Sequence, residues 1–190
     1  MPASLSSSQS TDLIADEIQG VLIMETFRIR AARREDLKDL YGLLLELAEY
    51  ERLLDSVKLT EENFGRALFD QPAMIEAIIA EQDGLPVGFA LFYPVFPTFL
   101  GRAGMYLEDL FVRPACRGAG IGKKLLATVT RIARDRGLGR VDWAVLDWNE
   151  PAQKFYQSLG ARPKDGWTVY QLLGDEMNRV ADQGEEIAAD

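Results

Sequence analysis

The run Arg117-Gly118-Ala119-Gly120-Ile121-Gly122-Lys123-Lys124 sets glycines at alternate positions between cations. Glycine lets backbone N–H groups come close to a ligand, and a helix that begins there adds partial positive charge. The chemistry such a run offers is phosphate binding. Its flanks supply the setting. Met105–Val112 reads as a strand that ends at Arg113-Pro114, and Leu125, Leu126, Val129, Ile132 and Ala133 recur at helical spacing. Two common phosphate loops do not fit. In a P-loop, Arg117 would stand where the first glycine belongs and Lys124 where Ser or Thr belongs; in a dinucleotide loop the third glycine comes one residue early. What remains is R-x-x-G-x-G, Arg117 to Gly122. A tight strand-to-helix turn would account for one of these glycines, but poorly for all of them beside a basic flank.

Glu108 and Asp109 interrupt the otherwise apolar strand before this loop. Neighbouring strand residues face opposite sides of a sheet, so both carboxylates reach one site only where a bulge intervenes. A buried carboxylate without a partner is costly, which marks at least one of them as functional. The chain has no histidine, so a His-based triad and His metal ligands are excluded. Any general base is a carboxylate, lysine, tyrosine or water chain. The one cysteine, Cys116, excludes an internal disulfide and fits a reducing cytoplasm.

The elements that must position these groups follow from periodicity. Phe27–Arg30 alternates as a first strand, and Glu35–Leu54 is helical, with Leu37, Leu40, Leu43, Leu44, Leu47 and Tyr50 on one stripe. Thr60 caps a short helix reaching about Leu68. Met74–Glu81 and Pro86–Tyr93 form a hairpin across Asp83-Gly84. Lys123–Arg136 is a helix closed by Gly137, and Arg140–Asp147 is a strand. Asn149 caps a helix with Pro151 in its first turn and Gly160 at its end, and Trp167–Leu172 is a last strand. The order β-α-α-β-β-β-α-β-α-β predicts a mixed α/β fold with one sheet between helices.

At 190 residues and 47% apolar composition, the chain reads as one domain with a substantial core. Residues 24–173 hold the domain. Residues 1–23 read as a disordered or poorly ordered extension that can be deleted without loss of fold or activity, and 174–190 as an acidic tail. No apolar run is long enough to span a membrane, and no signal peptide opens the chain. The expected location is cytoplasmic. The net charge of −9 is unevenly placed. Residues 35–109 carry fifteen acids and five bases, whereas 110–173 carry five acids and eleven bases. An acidic half and a basic half suit a protein that joins a cationic ligand to an anionic one, although ordinary surface charge fits as well. The neutral body with acidic ends argues against a nucleic-acid platform.

Beyond the loop come Ala144-Val145-Leu146-Asp147-Trp148-Asn149-Glu150-Pro151-Ala152, then Phe155-Tyr156, then Leu159-Gly160-Ala161. With Arg117–Gly122, their order and spacing resemble the GNAT superfamily of acetyl-CoA-dependent N-acetyltransferases. The segments Ile29-Arg30, Glu46–Glu51, Tyr106–Asp109, Asp147–Pro151 and Gly166-Trp167 are similar to the diamine branch, the spermidine/spermine and thialysine acetyltransferases, over about residues 24–172. The resemblance implies a mixed, mostly antiparallel sheet flanked by helices, with a splay between the strands Met105–Val112 and Arg140–Asp147. It implies that Tyr156 protonates the leaving CoA thiolate and that Glu108 binds the amine and relays its proton through water. It places the cofactor on Leu110, Phe111, Val112, Arg117, Gly118, Ala119, Gly120, Ile121, Gly122, Lys123, Asn149, Glu150, Pro151 and Ala152. It places the amine on Tyr50, Glu51, Glu108, Asp109, Asp142, Trp143, Ala144 and Asp165.

The resemblance further implies acetyl-CoA as cosubstrate, no metal, a small cationic amine, and a homodimer. Taken on its own spacing, Tyr156 could instead be a core aromatic paired with Phe155, Asp109 a turn partner, and Glu46, Glu49 and Glu51 a solvated helix face. The chain departs from the branch at Asp142, at Asp165, in the shorter Ala161–Asp165 segment, and in the hairpin at Asp83-Gly84, which lacks a longer insertion. These departures bear on which amine is used. Cys116 as an acetyl-enzyme nucleophile would need a base that the neighbouring residues do not supply, so direct transfer in a ternary complex is expected. Two rival readings are a non-catalytic acyl-CoA-binding module and a protein or peptide N-acetyltransferase on the same fold. Retention of both Glu108 and Tyr156 speaks against the first.

Overall fold

The computed structural model describes residues 27–164, 166–185 and 187. Residues 1–23 and Asp165 therefore lie outside the described residues. The chain divides into two compact units, one ending at Ala144 and the other beginning at Val145.

The first unit is built on a five-stranded sheet in chain order: β1 (Arg28–Ala31), β2 (Glu76–Gln82), β3 (Leu85–Val95), β4 (Gly104–Val112) and β5 (Val141–Asp142). The first four strands pair antiparallel and β5 joins β4 in parallel. Among the described residues, α1 (Leu37–Tyr50), α2 (Glu61–Phe69) and α3 (Ile121–Asp135) accompany them. Strand alternation sorts the core. Ala77, Ile79, Phe89, Leu91 and Phe111 form one face, covered by Leu40, Leu43 and Leu47 of α1 and by Phe64 and Leu68 of α2. The opposite set, Ile78, Ala80, Ala90 and Phe92, is also buried, and α3 packs on β3 and β4 with Ile121, Leu125, Leu126, Val129 and Ala133 buried. Gly88 lets β3 and β4 approach: a Cβ there would lie 2.6 Å from the Phe111 carbonyl oxygen.

Local signals hold at the helix starts and at the hairpin. The Thr60 hydroxyl accepts the Asn63 N–H at 3.2 Å, capping α2. Asp83 and Gly84 turn the β2–β3 hairpin with φ of 50° and 78°. The helix expected over Glu35–Leu54 stops at Tyr50, because Arg52 takes a left-handed conformation at φ 62°. β1 is fixed to the turn before α1 by Arg30, which binds both oxygens of the buried Asp36 at 2.6 and 2.7 Å and Glu81 at 2.7 Å.

Two strand expectations are corrected. The strand placed at Arg140–Asp147 is only Val141–Asp142. Its pairs are Met105↔Val141 and Tyr106↔Asp142, and the ladder ends before the bulge at Glu108. The strand placed at Trp167–Leu172 is irregular chain, with Trp167, Val169 and Tyr170 exposed. Among the described residues it joins no ladder, and an unpaired segment has nothing to hold it extended.

The second unit carries α4 (Glu150–Ser158) and α5 (Gly174–Ala181). Asn149 Oδ1 accepts the Ala152 N–H at 3.3 Å, and Pro151 stands in the first turn of α4. The segment expected as an acidic tail contains a helix, α5. No helix among the described residues is long and apolar enough to cross a membrane.

Candidate active site

β4 resolves the problem of its adjacent carboxylates. Leu91 pairs with Asp109 and Phe92 with Leu107, which leaves Glu108 as the extra residue of a bulge. Asp109 falls on the α1 side with Leu91 and Phe111. Tyr93 and Tyr106, paired across the strands on that same side, stack at 5.4 Å between ring centroids. The Tyr93 hydroxyl donates to Glu108 Oε2 at 3.0 Å, so the bulge brings Glu108 to the face that Asp109 already occupies.

The result is a cluster of acids edged by phenols. Burial, then Glu108 and Glu51, push the Asp109 carboxyl up to about 7. Burial alone raises Glu51, which follows directly on the last residue of α1. Burial and Glu108 push the Tyr93 hydroxyl up to about 12, and burial, Glu108 and Asp142 raise Tyr106. Desolvation disfavours the charged form of an acid and a neighbouring anion disfavours it further, so the cluster is poised to receive a cation. Asp142 lies beside Tyr106 in the ladder, with Arg140 Nε 2.6 Å from its Oδ2. Trp143 and Ala144 follow it in the chain.

The other end of β4 leads into the loop. Arg113 pins its start: the guanidinium meets Glu46 through Nη2 at 2.7 Å and through Nε at 3.0 Å, and Nη1 donates to the Pro86 carbonyl at 2.9 Å. Glu46 is therefore part of the support of the loop rather than of a solvated face. After a single turn at Pro114–Cys116, Gly118 and Gly120 take φ of 90° and 81°, and a Cβ on either would meet nothing within 4 Å. The backbone is thus exposed above Gly118, Ala119 and Gly120, while Ile121 buries its side chain and anchors the first turn of α3. The N–H groups of that turn, at Ile121, Gly122 and Lys123, have no carbonyl within the helix to bond. With the exposed Lys123 and Lys124, this fits a diphosphate. Leu110, Phe111 and Val112 form the end of β4, where Val112 O accepts Arg117 Nε at 2.9 Å.

In the second unit, Tyr156 lies in the last turn of α4, its ring 5.1 Å from that of Phe155. Asn149 is the buried cap of this helix, and Glu150 pairs with Lys154 at 3.0 Å. Asp165 lies outside the described residues.

Sequence reasoning gave no site role to Tyr93, Tyr106 or Arg113. The two tyrosines meet only through the β3–β4 register, which the intervening chain of 96–103 does not disclose. The Arg113 signal was available in part, as a cation at the exit of a strand beside a phosphate loop. Among the described residues, no group of His, Cys, Asp and Glu is arranged to hold a metal ion.

The model of the acetyltransferase (GNAT) family matches residues 37–161. Thialysine N-epsilon-acetyltransferase of Sus scrofa is 36% identical over 83% of this chain and 99% of its own. Spermidine/spermine N(1)-acetyltransferase-like protein 1 of Homo sapiens is 30% identical over 83% of this chain and 24% of its own. The structure of an integron cassette protein from the mobile metagenome of V. cholerae superposes with a TM-score of 0.69 at 29% identity, covering 82% of this chain and 97% of that one. The chain belongs to the GNAT family of acetyltransferases, as an acyltransferase acting on amines.

Proposed function

We propose that the protein moves an acetyl group from acetyl-CoA to the primary amine of a small cation, a polyamine, diamine or lysine analogue, by direct transfer in a ternary complex. The observation that carries this reading is the bulge at Glu108, which sets Glu108 and Asp109 on one face near Glu51. Three acids gathered there suit a small substrate that carries positive charge. The names of the thialysine and spermidine/spermine relatives point the same way.

An unperturbed amine of lysine type, with a reference pKa of about 10.4, is protonated at neutral pH. In the proposed sequence the ammonium docks among Glu51, Glu108, Asp109 and Asp142, beside Tyr50, Trp143 and Ala144; the resemblance assigns Asp165 to the amine as well. Glu108 takes the proton through water. The freed nitrogen bonds to the acetyl carbonyl carbon, the carbon–sulfur bond breaks, Tyr156 gives its hydroxyl proton to the leaving thiolate, and the second proton that the nitrogen loses on becoming an amide restores the tyrosinate to a phenol. The backbone of Leu110–Val112 guides the pantetheine arm, the Arg117–Lys123 loop holds the diphosphate, and Asn149–Ala152 add contacts from α4. Cys116 takes no covalent part. The enzyme works as a cytoplasmic homodimer, and residues 24–173 suffice for it.

The test is the product. Incubation with acetyl-CoA and thialysine, then with a lysine-containing peptide, is read by mass spectrometry. Acetylated thialysine supports the proposal. Acetylated peptide in preference would move the assignment to a peptide acetyltransferase, and binding of acetyl-CoA without any product would leave a binding module.

A further inference from the structure

Arg117 opens the glycine loop, yet its side chain turns toward the helix that ends at the acidic cluster. The guanidinium carbon lies 4.6 Å from the centre of the Tyr50 ring and 5.8 Å from that of Phe111. Nε donates to Val112 O at 2.9 Å, which fixes the plane of the group. Tyr50 is the last residue of α1, and the next residue, Glu51, acts electrostatically on Asp109. The loop, the end of β4 and the end of α1 thus meet on one planar cation.

We propose that Arg117 is a positioning residue that ties the acetyl-CoA loop to the edge of the amine site by stacking on Tyr50, so that cofactor affinity depends on the ring of an amine-side residue. The inference rests on the reading of Arg117–Lys123 as the acetyl-CoA loop. It separates two roles for Arg117. A point charge aimed at phosphate is replaceable by lysine. A planar group that stacks and donates sideways is not.

The experiment measures acetyl-CoA affinity by calorimetry on the full chain, without amine, with circular dichroism confirming the fold of each variant. An exposed cation–π contact corresponds to roughly a two- to five-fold change in affinity. Tyr50→Leu is expected to weaken acetyl-CoA by that factor, Tyr50→Phe to keep wild-type affinity, and Arg117→Lys to behave like Tyr50→Leu. In an Arg117→Met background, Tyr50→Leu is expected to have no further effect. The inference is overturned if Tyr50→Leu leaves the affinity unchanged, if it has the same effect in both backgrounds, or if Arg117→Lys is silent. A wild-type protein that binds no acetyl-CoA overturns the reading of the loop and this inference with it. A wild-type protein that binds, with the two residues acting independently, overturns this inference alone.

Discussion

The Tyr93 hydroxyl donates to Glu108 Oε2 across 3.0 Å, from the neighbouring strand to the bulged residue of β4. The bond selects one orientation for a carboxylate that would otherwise be free to turn in solvent. Tyr93→Phe removes the donor and keeps the ring stacked on Tyr106. A hydrogen bond of this exposed kind contributes about 1 kcal/mol, so kcat/KM for the amine is expected to fall roughly five-fold, with at most a few degrees' change in melting temperature and acetyl-CoA affinity unchanged. Steady-state kinetics beside thermal unfolding checks this. An unchanged kcat/KM would make Tyr93 merely structural.

Asp109 carries a pH signature. Its folded value of about 7 stands well above the ordinary aspartate value of 3.8. Between these two pH values the native state holds a proton that the unfolded state has lost. The stability from this group is therefore complete at acid pH and is lost as pH rises to about 7, by at most on the order of 4 kcal/mol. Asp109→Asn, which never ionises, is expected to be more stable than wild type at pH 8 and to lose that advantage near pH 4. Denaturant unfolding at the two pH values reads the difference. Amine binding should also tighten as pH rises through 7, since an ammonium favours the ionised form.

Asp36 has the opposite sign. Its hydrogen bonds from Arg30, then from the Arg33 backbone, hold its carboxyl below the usual range despite burial. The stability it contributes is present above the ordinary aspartate value and is lost as pH falls through the lower folded value. Asp36→Asn leaves Arg30 without its main partner in a mostly buried position and is expected to cost about 3 kcal/mol at pH 7, with the gap to wild type closing in acid. Chemical denaturation at pH 7 and pH 3 tests both statements.

Tyr156→Phe should lower kcat by about a hundred-fold, the usual size of a general-acid contribution, without weakening acetyl-CoA. Calorimetry and pre-steady-state CoA release separate the two effects. Unchanged turnover would remove Tyr156 from its proposed role.

Much of this arrangement can be read in the chain, for identifiable reasons. The Leu40, Leu43 and Leu47 stripe has one period, so α1 is legible, and Thr60 and Asn149 announce helices because a side-chain oxygen must meet an orphaned N–H. Gly118 and Gly120 are legible because left-handed backbone calls for glycine. Glu108 and Asp109 were legible only as a conflict between adjacent residues, since a bulge is a property of the pairing and not of the strand. Tyr93 was hidden for the same reason. The alternating pattern at 167–172 looks like a strand, but alternation states which face could be buried, not whether a partner edge exists.

The proposal puts an acyl donor at the loop that follows one bulged strand and a small cation at the bulge itself. The most direct measurement is the rate of CoA thiol release from acetyl-CoA across a panel: thialysine, lysine, spermidine, spermine, putrescine, a basic peptide and no amine. The account predicts rapid release with one class of small amine, little with the peptide, and almost none without amine. Release that is the same with and without amine, or fastest with the peptide, would contradict it.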